Sequence, residues 1–202
     1  MFPSEPPAPG LPSARLARAR ALENLRFVRE TMERAAAFTA VPGWGTALVG
    51  LTALPAAAFA STQSTPGRWL AVWLAEAGLA AAIGVGATWG KARREGASLL
   101  AGPGGRFLLA LFPPIGAGAI LTLALADHPR LLPGTWLLLY GVGLLEAAPF
   151  SLRLFRSMGL AFLAAGAAAL FAPAGWGDPL LAGGFGLLHL LFGLRIARGS
   201  RG

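Results

Sequence analysis

The sequence predicts an all-α, polytopic membrane protein: six transmembrane helices with both termini cytoplasmic, preceded by an amphipathic N-terminal helix. Three observations predict it. Of the 202 residues, 55% are hydrophobic and only 13% charged, and mean hydropathy is +0.60; soluble domains carry about a quarter charged residues. The apolar residues form long blocks divided by short polar or Gly/Pro-rich segments. The cations fall almost entirely in alternate connections between those blocks, as the positive-inside rule requires. The chain has no cysteine, which excludes disulfides, iron–sulfur clusters, thiol catalysis and Cys-zinc sites.

Residues 1–12, with prolines at 3, 6, 7, 9 and 12, read as an extended disordered tail. Ser13 is the expected N-cap of a helix over 14–38, about 37 Å long at 1.5 Å per residue. Leu22, Leu25, Val28 and Met32 line one seam of it at three- and four-residue spacing. Arg26–Glu30, Arg29–Glu33 and Glu30–Arg34 are i,i+4 pairs of opposite charge, so this helix is too charged to span a bilayer. The expected organisation is a tail (1–12), this cytoplasmic or interfacial helix (13–42), a six-helix domain (43–196) and a basic tail (197–202).

Six apolar blocks follow, at about 43–60, 69–90, 107–126, 131–150, 155–172 and 179–194. A spanning helix needs about 20 apolar residues. The last block falls short unless Trp176–Asp178 or Arg195 lies in the interface. The first ends like a signal peptide, but residues 1–42 far exceed an ordinary n-region, so it reads as a retained helix.

Among the 17 Lys and Arg, only Arg68 and Arg130 fall in segments assigned to the outside. The formal net charge of +8 is therefore largely a topology code and not a nucleic-acid signal. The three outward loops each place a proline before the inward helix: Pro66, Pro133 and Pro179. They suggest three related hairpins, or simply a bundle with short loops.

Three ionisable residues fall within expected spans: Glu76, Glu146 and His189. Such residues cost about 2.5–3.5 kcal/mol at mid-bilayer on insertion scales and normally face the bundle interior. Trp69, Trp73 and Glu76 share a helical stripe, which gives either a cation site built from charge and indole faces or a structural bond to a neighbouring helix. Glu146 and His189 lie at similar depths on parallel helices, so they can form a proton-sharing pair or separate interhelical bonds. Pro113, Pro114 and Gly116 predict a break or kink in the third span. Gly86 and Gly90, and Ala161, Ala165 and Ala169, form small-residue rows suited to helix packing. With His128 the only other histidine, a buried bis-histidine haem site is excluded, and no cofactor, metal site or catalytic motif is expected.

The stretch LRFVRETMERAAAFTAVPGWG (Leu25–Gly45) resembles the amino-terminal signature of small uncharacterised bacterial integral membrane proteins. The resemblance covers about a tenth of the chain. It implies a bacterial inner membrane and no known activity, and it assigns no site residue.

Two functional expectations remain. The first is a non-catalytic accessory or scaffold subunit that binds other membrane subunits or itself within the lipid bilayer, with no nucleic-acid partner. The alternative is a small oligomeric ion- or proton-coupled transporter or channel using Glu76, Glu146 and His189.

Overall fold

Thr65 opens the longest helix of the protein. Its side chain accepts a hydrogen bond from the Arg68 N–H at 3.3 Å, and Pro66 occupies the first turn, where its missing N–H costs nothing. At the other end, Arg93 and Arg94 lie in the last turn and Gly96 terminates the helix with φ 65°, the left-handed conformation that favours glycine. The helix between these signals, α3, spans Pro66–Glu95.

The computed structural model describes residues 11–35, 41–96, 98–100, 102–173 and 175–199. Among them the regular structure is entirely helical: α1 (Leu11–Ala35), α2 (Gly43–Ala60), α3, α4 (Gly102–Ala124), α5 (Leu132–Ala147), α6 (Leu154–Phe171), α7 (Gly177–Leu181) and α8 (His189–Gly199). One 3-10 turn precedes α5 (Pro129–Leu131) and another follows it (Ala148–Phe150). A π-helical segment, Ala182–Leu188, fuses α7 to α8. Six stretches are long and apolar enough to cross a membrane: Gly43–Ala60, Pro66–Glu95, Gly104–Ala124, Pro129–Phe150, Leu154–Phe171 and Gly177–Gly199. The chain is thus a multi-pass membrane protein of the expected helical class.

Two boundaries differ from the sequence reading. The first helix already includes Leu11, so Ser13 lies inside it and is not its N-cap. Proline is tolerated in a first turn, where the N–H has no intrahelical partner, so Pro12 did not have to end the tail. The final span is longer than 179–194 because α8 continues through Arg195 and Arg198. Residues 1–10 of the expected tail and 200–202 at the basic end lie outside the described residues, as does the side chain of Met32.

The chain divides into two units, Met1–Ala37 and Phe38–Gly202. In the first, α1 presents Leu22, Leu25 and Val28 exposed, as is every described side chain from 16 to 28.

In the second unit, α5 and α6 form one intimate pair, and α2 forms another with α8 and the π segment. Small residues set both distances. A β-carbon at Gly141 would lie 2.9 Å from the Gly159 carbonyl oxygen, and one at Gly159 the same distance from that of Gly141. A β-carbon at Gly50 would lie 2.5 Å from the Gly186 carbonyl oxygen. Without a hydrophobic drive between helices in lipid, such backbone approach supplies dispersion contact. Phe162, Leu137, Leu144, Met158 and Leu181 fill the fully buried centre. Helices α3 and α4 flank it, packing mainly on α2 and α5 respectively. Only 11% of the most apolar window of α3 is buried, against 44% for α2, so α3 keeps most of its surface for the surroundings.

At Pro113, Pro114 and Gly116, where the sequence allows a break or a kink, there is no break: α4 continues as one helix from Gly102 to Ala124. Pro114 is buried and lies beside Gly143 of α5, where a β-carbon would sit 3.5 Å from its ring, an ordinary contact distance. Proline is tolerated in a spanning helix where neighbouring helices or local backbone adjustment satisfy the freed groups.

Candidate functional site

The polar residues of the spans gather in three places. The first is where α3, α4, α5 and α7 meet. Trp69 and Trp73 lie one turn apart on α3, and both indole N–H groups donate to the same oxygen, Oδ1 of Asp178, at 2.7 and 2.9 Å. The Trp69 ring stacks on Trp136 of α5, with centroids 5.6 Å apart and planes within 4°. Trp136 Nε1 donates to the Thr122 hydroxyl of α4 at 2.8 Å, and that hydroxyl donates back to the Gly118 carbonyl at 2.7 Å. Both indole N–H groups thus turn toward Asp178, while Glu76 bonds to Thr52 on the neighbouring α2, the structural alternative for this stripe.

The second place is the crevice between α2 and α3. Glu76 is 8% exposed, and its Oε1 accepts a hydrogen bond from the Thr52 hydroxyl at 2.8 Å. The same hydroxyl lies 2.9 Å from the Val49 carbonyl one turn back. These two side chains are the polar part of an open groove of about 620 Å³, otherwise walled by apolar residues such as Ala56, Phe59, Ala75 and Leu79.

The third place is the bundle centre. His189, 4% exposed, begins α8 directly after the π segment. Its Nε2 lies 2.8 Å from the Tyr140 hydroxyl of α5. Tyr140, Phe162 and Phe185 surround the imidazole, with ring centroids 5.3, 5.4 and 6.1 Å from it. Nδ1 faces the backbone of Gly184 and Phe185 but finds no hydrogen-bond partner among the described residues. A π turn displaces backbone carbonyls from their α-helical positions and often marks a functional position.

The sequence reading thus separates into parts. Glu76 and His189 are both buried, as intramembrane ionisable residues are expected to be. Glu146 is exposed on α5, one residue before that helix ends, and the suggested Glu146–His189 pair does not form: Tyr140 takes its place. In α6, Ala165 and Ala169 belong to the core and Ala161 is half-buried, while the closest approach is made by the neighbouring glycines 159 and 166. Around Gly86 and Gly90 nothing lies within 4 Å of a built β-carbon.

Sequence reasoning missed Thr52, Asp178, Tyr140, Trp136 and Thr122. An aspartate just before an apolar block, in a chain with several tryptophans near its loops, was the available signal for Asp178. The described residues hold no cluster of three or more potential metal-ligating side chains. No known protein family matches the chain, and no curated protein or solved structure is significantly similar to it.

Proposed function

We propose that the chain is a non-catalytic accessory or scaffold subunit of the bacterial inner membrane, which binds another membrane subunit or a second copy of itself through α3. In this reading the N- and C-termini are cytoplasmic, following the distribution of Lys and Arg.

The observation that carries it is the contrast between glycine rows. Those of α2, α5, α6 and α8 meet a neighbouring helix, whereas Gly78, Gly86 and Gly90 of α3 face open space. Gly78, Ala82 and Gly86 lie at i, i+4 and i+8, all exposed. A single helix gains nothing from several glycines, each of which costs about 0.5–1 kcal/mol relative to alanine. A closely approaching second helix does gain, because small residues let backbones touch. The exposed Leu22, Leu25 and Val28 of α1 offer a further apolar seam to the same class of partner.

Ion- or proton-coupled transport has less support. Its three candidate residues occupy three separate surroundings: a groove for Glu76, an aromatic cage for His189 and an exposed helix end for Glu146.

Purification from native membranes in mild detergent, with mass spectrometry of whatever accompanies the chain, tests the proposal. It predicts stoichiometric membrane subunits or a homo-oligomer. Recovery as a clean monomer overturns it.

A further inference from the structure

We infer that the groove between α2 and α3 is a binding site for a compact lipophilic amine in its protonated form, with the ammonium on Glu76 and the apolar body along Ala56, Phe59, Ala75 and Leu79. Four observations lead there.

Glu76 is a carboxyl group almost withdrawn from the surface, yet it forms part of the groove wall, and its hydrogen-bond partner in the structure is one hydroxyl. A carboxylate offers about four lone-pair positions, so Thr52 leaves acceptor capacity over. No Lys or Arg pairs with it among the described residues. In hydrocarbon, where water does not supply donors, a cationic N–H is the complementary group, and such charge-assisted bonds are about twice as strong as neutral ones.

The composition of the groove does not suit a bare calcium or magnesium ion. Calcium takes about six to eight oxygen ligands, and magnesium demands a near-octahedral set. The groove wall supplies only the side-chain oxygens of Thr52 and Glu76, and the Thr52 hydroxyl is already engaged.

Its dimensions match a small molecule better than the length of a spanning helix. The walls run from Thr52 to Phe59 and from Ala71 to Leu79, about 10–12 Å at 1.5 Å per residue. A helix that crosses the bilayer is about 30 Å long. The volume of about 620 Å³ lies instead within the range of small-molecule sites, which are mostly apolar with a few placed polar groups.

Neither Trp69 nor Trp73 lines the groove, and their N–H groups turn to Asp178, which leaves Glu76 as the charged group of the groove wall that selects the ligand.

The test uses the full chain in phosphatidylcholine nanodiscs and three probes of one shape: 1-adamantylammonium, 1-adamantanol and 1-adamantanecarboxylate. Saturable binding of the ammonium compound alone is expected, and Glu76→Gln is expected to weaken it by about tenfold or more, because a hydrogen bond to a charged group is worth about 1.5–3 kcal/mol. Ala75→Trp, which fills the groove and keeps the carboxyl group, is expected to abolish binding. Equal binding of amine and alcohol, or native affinity in Glu76→Gln, overturns the assignment. If Glu76→Gln fails to fold, Ala75→Trp decides: unchanged affinity in that variant overturns the assignment, and loss of binding upholds it. Photocrosslinking at position 75 that captures a polypeptide which the ammonium probe does not displace also overturns it.

Discussion

The indole N–H of Trp69 and the carboxylate of Asp178, 109 residues apart in sequence, lie 2.7 Å apart and join α3 to the start of the last span. Since α3 packs mainly on α2, this bond and its twin from Trp73 are its principal polar ties to the far side of the bundle. Asp178→Ala is therefore expected to cost about 1–3 kcal/mol, the range for leaving buried donors unsatisfied. Thermal unfolding in nanodiscs measures the loss, and a red shift of tryptophan emission should accompany it. Trp69→Phe and Trp73→Phe should be non-additive, because both indoles share one oxygen.

The Tyr140–His189 bond is predicted to show the coupling of a buried pair. Tyr140→Phe leaves Nε2 of a 4%-exposed imidazole without its partner and should destabilise by about 1–3 kcal/mol. Replacing His189 by leucine in that background should recover part of the loss, since removing both polar partners is often close to neutral. A double-mutant cycle on unfolding free energies reads the coupling. Strict additivity would show that the 2.8 Å contact contributes nothing.

Glycines of the same type should give opposite results according to what they face. Gly141→Ala places a methyl group 2.9 Å from the Gly159 carbonyl and should cost about 1–3 kcal/mol by overpacking. Gly86→Ala meets nothing within 4 Å, and in the isolated chain it should stabilise by about 0.5–1 kcal/mol through helix propensity. Chemical denaturation of the two purified variants gives the sign of each.

Much of the fold was legible because a bilayer imposes long apolar blocks. The first, at 43–60, coincides with α2, since Pro42 and Ser61 flank a run without a charge. The last was read too short because Arg195 and Arg198 looked like a loop, whereas a helix simply continues beyond its apolar part. The π segment had no signal: AGGFG carries no periodicity that separates i→i+5 bonding from i→i+4.

At the candidate sites, sequence identified which residues are costly to bury but not their partners. Glu76 and His189 are buried as expected, yet Thr52 lies 24 positions from the first and Tyr140 49 from the second. Glu146 shows the limit of depth arguments. Counting from the basic ends put it level with His189, but His189 meets Tyr140, six residues earlier on α5 and so about 9 Å away along the helix at 1.5 Å per residue.

The central claim is that the small-residue face of α3 receives another helix. Replacing Trp89, a 50%-exposed aromatic one turn from Gly86, with the photoreactive benzoylphenylalanine, and separately Leu123, which is 81% exposed on α4, tests it in native membranes while keeping the glycines. The account predicts a discrete crosslinked species from position 89, either a dimer or an adduct with another membrane subunit, and none from position 123. Crosslinking to lipid alone at both positions, or the same polypeptide adducts from both, would contradict it.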